Sequence, residues 1–108
     1  MLRDEPNKWE VWLADVRFED KPEISKRRPV IVFDKQQVYI VSMKVTGQPP
    51  KNSKTDYVLQ RWQEAGLDTV SIVQITKQLK LVRSDFICKI GKLQIKDIME
   101  IKVRLMNL

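Results

Sequence analysis

The hydrophobic pattern of this chain changes period once, near Gly91. Before that point apolar residues come in short runs or alternate with polar ones. These runs are rich in Val, Ile, Trp and Tyr, and Pro, Gly and charged stretches separate them, as expected of strands. From Gln94 onward Ile95, Ile98, Ile101, Leu105 and Leu108 recur three or four apart. Asp97 and Glu100 come early and Lys102 and Arg104 late, which describes an amphipathic helix matched to its own dipole. Several strands followed by one terminal helix must bury one face of a sheet against the helix. The pattern therefore predicts a mainly β domain of α+β type, a small antiparallel β-barrel closed by a C-terminal α-helix.

Along the chain, "WEVWLADVRF" (Trp9 to Phe18) reads as the first strand. Trp12, Ala14, Val16 and Phe18 share one face, and Val11, Leu13 and Asp15 the other. "EDKPEISKR" reads as a loop. Pro29 cannot donate a ladder hydrogen bond, so it is expected at the first residue of the next strand, whose "VIVF" is a core run. Lys26, Arg27 and Arg28 are then expected on a loop at that strand's entrance. "VYIVSMKV" (Val38 to Val45) completes a hairpin, and "TGQPPKNSKT" (Thr46 to Thr55) is a second long exposed loop. "DYVLQRWQEAGL" gives a short strand from Asp56 to Leu59, then a helical turn through Trp62 that stops at Gly66. "TVSIVQI" and "KQLKLV" read as two strands and "DFICKIGKL" as a third. On the helix, Met99, Val103 and Met106 form a second apolar stripe, wider than one sheet face needs, and a subunit interface is its expected use.

At 108 residues, without repeats or a linker, residues 1–108 read as one domain. Cys88 is the only cysteine and sits among apolar residues, so it reads as inert packing, and no disulfide or cysteine metal site is available. The expected compartment is the cytoplasm. No apolar run of membrane-spanning length and no signal-peptide core is present, so the chain is expected to work in solution. Its net charge of +6 favours a polyanion, nucleic acid first and an acidic protein second. Histidine is absent, which removes Ser-His and Cys-His nucleophile systems and the commonest metal ligand. Carboxylates, guanidinium groups, ammonium groups and hydroxyls remain, a set suited to binding and stabilising phosphate.

The order of these parts, with "RRPVIV", Thr46 at a strand end, "DYVLQRWQEAGL…S" and a late "IGKL" before a terminal helix, resembles the MazF/PemK family of toxin endoribonucleases over nearly the whole chain. The resemblance implies an SH3-like barrel, a homodimer, and metal-free, cofactor-free cutting of single-stranded RNA. It also implies inhibition by a cognate antitoxin, a segment of which occupies the RNA groove, as in type II toxin-antitoxin systems. Carried over residue by residue, the family's loop carboxylate falls on Glu23, five positions before the motif arginine, Arg28. Its catalytic threonine falls on Thr46, and the aspartate near the end of the first strand on Asp15. Members often carry an acidic residue in the strand corresponding to "SIVQIT", where this chain offers Val73 or Thr76. That departure bears on cleavage rather than on binding. The alternative is a catalytically impaired relative that binds RNA or antitoxin.

Metal-free RNA cleavage uses the substrate's own 2′-hydroxyl as nucleophile and leaves a 2′,3′-cyclic phosphate and a 5′-hydroxyl. Arg28 suits stabilisation of the phosphorane charge, because its fork matches phosphate oxygens bidentately and it does not accept protons. Glu23 either orients Arg28 or takes the 2′-hydroxyl proton, and Thr46 hydrogen-bonds a non-bridging oxygen. Lys26, Arg27, Lys51 and Lys54 are candidates for phosphate contacts that position the strand, and Asp15 joins the RNA-facing set or only receives a loop hydrogen bond. Taken singly, each of these is an ordinary surface residue, and their joint placement is what points to a site. Trp9, Trp12 and Trp62 are candidates for base stacking, but with eight aromatics in the chain most are expected in the core.

Overall fold

Six strands form one antiparallel sheet in the order β4-β5-β3-β2-β1-β6. They are β1 (Glu10–Arg17), β2 (Ser25–Lys35), β3 (Ile40–Thr46), β4 (Asp56–Val58), β5 (Ile72–Leu81) and β6 (Phe86–Lys92), followed by the helix α1 (Ile95–Met106). The computed structural model describes residues 5–18, 20–52 and 54–108, so Glu19 and Ser53, within the two expected loops, lie outside the described residues. Among the described residues no helix is long and apolar enough to cross a membrane.

Both faces of the sheet are apolar, and this explains its coiling. Val11, Ile31, Met43, Val45, Val73 and Ile75 pack on one face against Leu59, Leu67, Ile98 and Ile101, which come from the segment after β4 and from α1. Trp12, Ala14, Val16, Val30, Val32, Ile40, Leu81 and Phe86 form a second cluster on the other face. Among the described residues no second layer covers that cluster, so the twisted sheet curls around it, and Trp12 meets Phe86 edge to face at 5.9 Å. Each fully buried aliphatic side chain contributes about 1.5–3 kcal/mol. The edge strands β4 and β6 do not pair with each other, so the barrel remains open.

The turn after β4 is held by Asp97 of α1. This fully buried carboxylate accepts the Tyr57 hydroxyl at 2.6 Å and the backbone N–H groups of Gln60 and Arg61, each at 2.9 Å. Burial, and then the hydrogen bond to Asp97, push the Tyr57 phenol above its ordinary range. The turn ends at Gly66 with φ +94°, as the sequence requires of a left-handed stop. It lies so close to β6 that a Cβ at Gly66 would strike the Ile90 carbonyl, and one at Gly91 the Ala65 carbonyl. At the start of β1, Glu10 accepts the Trp12 indole N–H, the Asn7 amide and the Lys89 ammonium. Burial alone would raise its pKa, but these hydrogen bonds and the Lys89 charge outweigh burial and hold the carboxyl below its usual value.

Several expectations are corrected. β2 starts at Ser25, not at Pro29, so Lys26, Arg27 and Arg28 lie on the strand rather than on a loop. Val32 directs its carbonyl toward Trp9 on the β1 side, so by alternation the backbone nitrogen of Pro29 faces β3. The β2–β3 ladder ends at Val30 opposite Lys44, so the missing donor costs nothing there. β5 is one strand rather than two, because the expected break is a three-residue bulge at Ile75, Thr76 and Lys77. On α1, Ile98 and Ile101 are buried, while Ile95 and Leu108 at its ends are exposed along with Met99, Val103 and Met106. Phe18 is also exposed, beyond the end of β1. Cys88 is exposed on β6 rather than packed.

Candidate functional site

The second face of the sheet is sealed at one end and open at the other. Val30 faces Trp12 on β1 and Lys44 on β3, and past this row the apolar filling continues on β1 alone, through Ala14 and Val16. Beyond it, a concavity of about 320 Å³ is lined by Lys26, Arg28, Lys44, Thr46, Gly47, Gln48, Gln74 and Lys77. It opens where β2 and β3 stop pairing, at the residue without an N–H. Lys26 and Arg28 stand opposite Val16 and Ala14 of β1, on the face of Val30 and Val32. Continuing the β2–β3 register by two residues sets Arg28 against Thr46. On β5, Gln74 faces Lys44.

Among the described residues four cations line this cavity and no carboxylate does. Among the described residues none of the four forms an ion pair. Such a lining attracts an anion and repels a divalent cation, so its donor set does not fit a metal. The Thr46 hydroxyl accepts the Gln48 backbone N–H at 3.2 Å, which leaves the hydroxyl's own proton to be donated to a ligand oxygen. Gly47 leaves open space beside it. A guanidinium, a hydroxyl donor and two amides, with three ammonium groups around them, match a phosphodiester.

The structure brings Arg28, Thr46 and Lys26 together and separates them from the other expected residues. Arg27 stands opposite Asp15 on the reverse face and pairs with it at 3.9 Å, with both side chains well exposed. Glu23 sits on an exposed turn outside the lining, and among the described residues it forms no ion pair with Arg28. Lys51 donates its backbone N–H to Asp56 at 2.9 Å. Lys54 lines a different groove, of about 740 Å³, along α1 with Glu100 and Arg104. Of the two positions for the family's acidic residue, Val73 is buried in the core and Thr76 is exposed on the bulge, and Gln74 faces the cavity instead. Trp9 and Trp12 are buried, and Trp62 packs against the first core cluster.

Lys44, Gln48, Gln74 and Lys77 were not among the residues expected at the site. Lys44 and Gln74 do carry a signal, since each is a polar residue with a buried apolar neighbour on either side, and Lys44 has the same parity as Thr46. Lys77 carries none, because only the bulge brings it round.

Residues 7–108 match the family model described as PemK-like, MazF-like toxin of type II toxin-antitoxin system. Among solved structures, the fold is similar to that of Mycobacterium tuberculosis toxin MazF-mt6. The TM-score is 0.69 at 17% sequence identity, covering 91% of this chain and 93% of that one. A search of curated proteins gives no match.

Proposed function

The chain belongs to the PemK/MazF toxin family of type II toxin-antitoxin systems, a family known as endoribonucleases, and we propose that it cuts single-stranded RNA sequence-selectively and without a metal in the cationic cavity. The observation that carries this reading is the juxtaposition of Arg28 and Thr46 on neighbouring strands, within a lining to which the described residues bring four cations. In the reaction the substrate's 2′-oxygen bonds to phosphorus as the P–O5′ bond breaks. Negative charge builds on the non-bridging oxygens, where the Arg28 fork and the Thr46 hydroxyl are placed to receive it. The 2′-hydroxyl proton passes to water, since Glu23 lies outside the cavity lining, and water returns a proton to the departing 5′-oxygen. Lys26 holds the strand by its backbone. A cognate antitoxin segment that competes for the cavity, and a homodimer formed through Met99, Val103 and Met106, complete the proposal.

The strand that often carries the family's acidic residue offers Val73, buried in the core, and Thr76, on the bulge, and this favours a second reading, in which the protein binds RNA or antitoxin without cutting. One experiment separates the two. The purified protein is incubated with mixed-sequence RNA in EDTA and the ends are mapped. Cyclic-phosphate ends at a restricted set of sequences support cleavage, and a strict Mg²⁺ requirement contradicts it. Salt-sensitive binding with no cutting selects the second reading.

A further inference from the structure

One guanidinium and one hydroxyl suffice for the non-bridging oxygens of a single phosphate, so Lys44 and Lys77 are in excess of that need. Their placement is ordered. Two residues along β3 from Thr46, about 6.6–6.8 Å at strand rise, Lys44 stands opposite Gln74 of β5. That step is of the order of the separation between successive phosphates of an extended single strand. Lys77 lines the same cavity only because β5 loops out three residues between its pairings with Lys44 and Met43. Strict alternation from Gln74 would turn Lys77 to the opposite face. Bulges of this kind re-aim side chains beside sites. Lys80, three residues on, lies outside the cavity over the Tyr39 ring.

We propose that Lys44 and Lys77, with Gln74 beside Lys44, hold the phosphodiester next to the one that Arg28 and Thr46 hold, so that the site engages two consecutive phosphates. The inference rests on the RNA reading above, but it concerns binding rather than cutting. Val30 is the apolar β2 neighbour of Lys44 and offers no polar group, so in this row the charge comes from β3 and β5 alone.

Uncleavable probes test this. Mixed-sequence 2′-O-methyl dinucleotides, with one phosphodiester, and trinucleotides, with two, compete against a labelled 2′-O-methyl RNA at low salt. On wild type the second phosphodiester is expected to raise affinity about tenfold, the scale of one charge-assisted contact. Lys77→Gln and Lys44→Gln should each remove most of that gain. Arg28→Lys should keep the ratio, and Lys80→Gln should leave both affinities unchanged. Lys77 is exposed, so its variant is expected to fold even if the half-buried Lys44 variant does not. A gain that persists in Lys77→Gln, or no gain on wild type, overturns the inference. If the ratios behave as stated but unmethylated RNA survives intact, the two-phosphate site stands and the cleavage reading falls. If no probe binds wild type, both fall.

Discussion

The two ends of one sheet face differ more than the two faces do. At one end Trp12, Val30, Val32, Leu81 and Phe86 exclude water, and at the other Lys26 and Arg28 of β2, Lys44 of β3 and, across the β5 bulge from Leu81, Gln74 invite an anion. β2 runs through both, and Pro29 marks the boundary. Along one strand, then, apolar packing and exposed charge are divided by position rather than by element. Substitutions on either side of Pro29 should have separable consequences. Ile31→Ala, at a fully buried core position, should cost about 2–5 kcal/mol of stability by thermal or urea unfolding. RNA cutting by its folded fraction should be unaltered. Arg28→Lys keeps the charge but loses the bidentate fork, so single-turnover cleavage should fall by roughly a hundredfold, the scale of one oxyanion-type donor. Its unfolding midpoint should match wild type, and equal effects of both substitutions on stability and rate would erase the boundary.

A third region supports the fold without entering the cavity. The Tyr57 hydroxyl donates to the buried Asp97, so Tyr57→Phe should cost about 1.5–3 kcal/mol, as for a hydrogen bond to a charged group. The pH dependence of unfolding reports both anchoring groups. The Glu10 carboxyl lies below its usual value in the folded state, so its contribution is present above the unfolded value and is lost as pH falls through the folded one. Tyr57 lies above its usual value, so its contribution is present below the unfolded phenol value of about 10 and is lost as pH rises past it. Glu10→Gln should flatten the acid limb alone, and an unchanged limb would show that the Trp12, Asn7 and Lys89 contacts do not stabilise the carboxylate form.

Much of this was legible in the sequence. The strand runs, the terminal helix, the turn ending at Gly66, and Arg28 and Thr46 as partners all follow from pattern or resemblance, because burial period and turn chemistry are local properties. What was not legible depends on pairing. Pro29 looked like a strand start, since nothing local reveals that its nitrogen faces the point where a neighbouring ladder ends. The β5 bulge is set by its register against β3, so the parity of Lys77 was hidden. Asp97 reads as a dipole partner in the helix's first turn, whereas packing makes it the buried acceptor for three donors from β4 and the turn after it. Lys26, Arg27 and Arg28 read as one cationic loop because, without the strand, they have no faces.

Those faces provide the smallest expected effect and the most direct test. Lys26 and Arg27 are adjacent and carry the same charge, but Lys26 lines the cavity and Arg27 pairs with Asp15 on the reverse side. The measurement is the slope of log affinity against log salt for a 2′-O-methyl single-stranded RNA, with Lys26→Gln and Arg27→Gln beside wild type. The account predicts that Lys26→Gln lowers the slope by about 0.7, the value of one phosphate contact on a single strand, while Arg27→Gln leaves it unchanged. Equal losses for the two variants, or a larger loss for Arg27→Gln, would contradict an RNA site on this face.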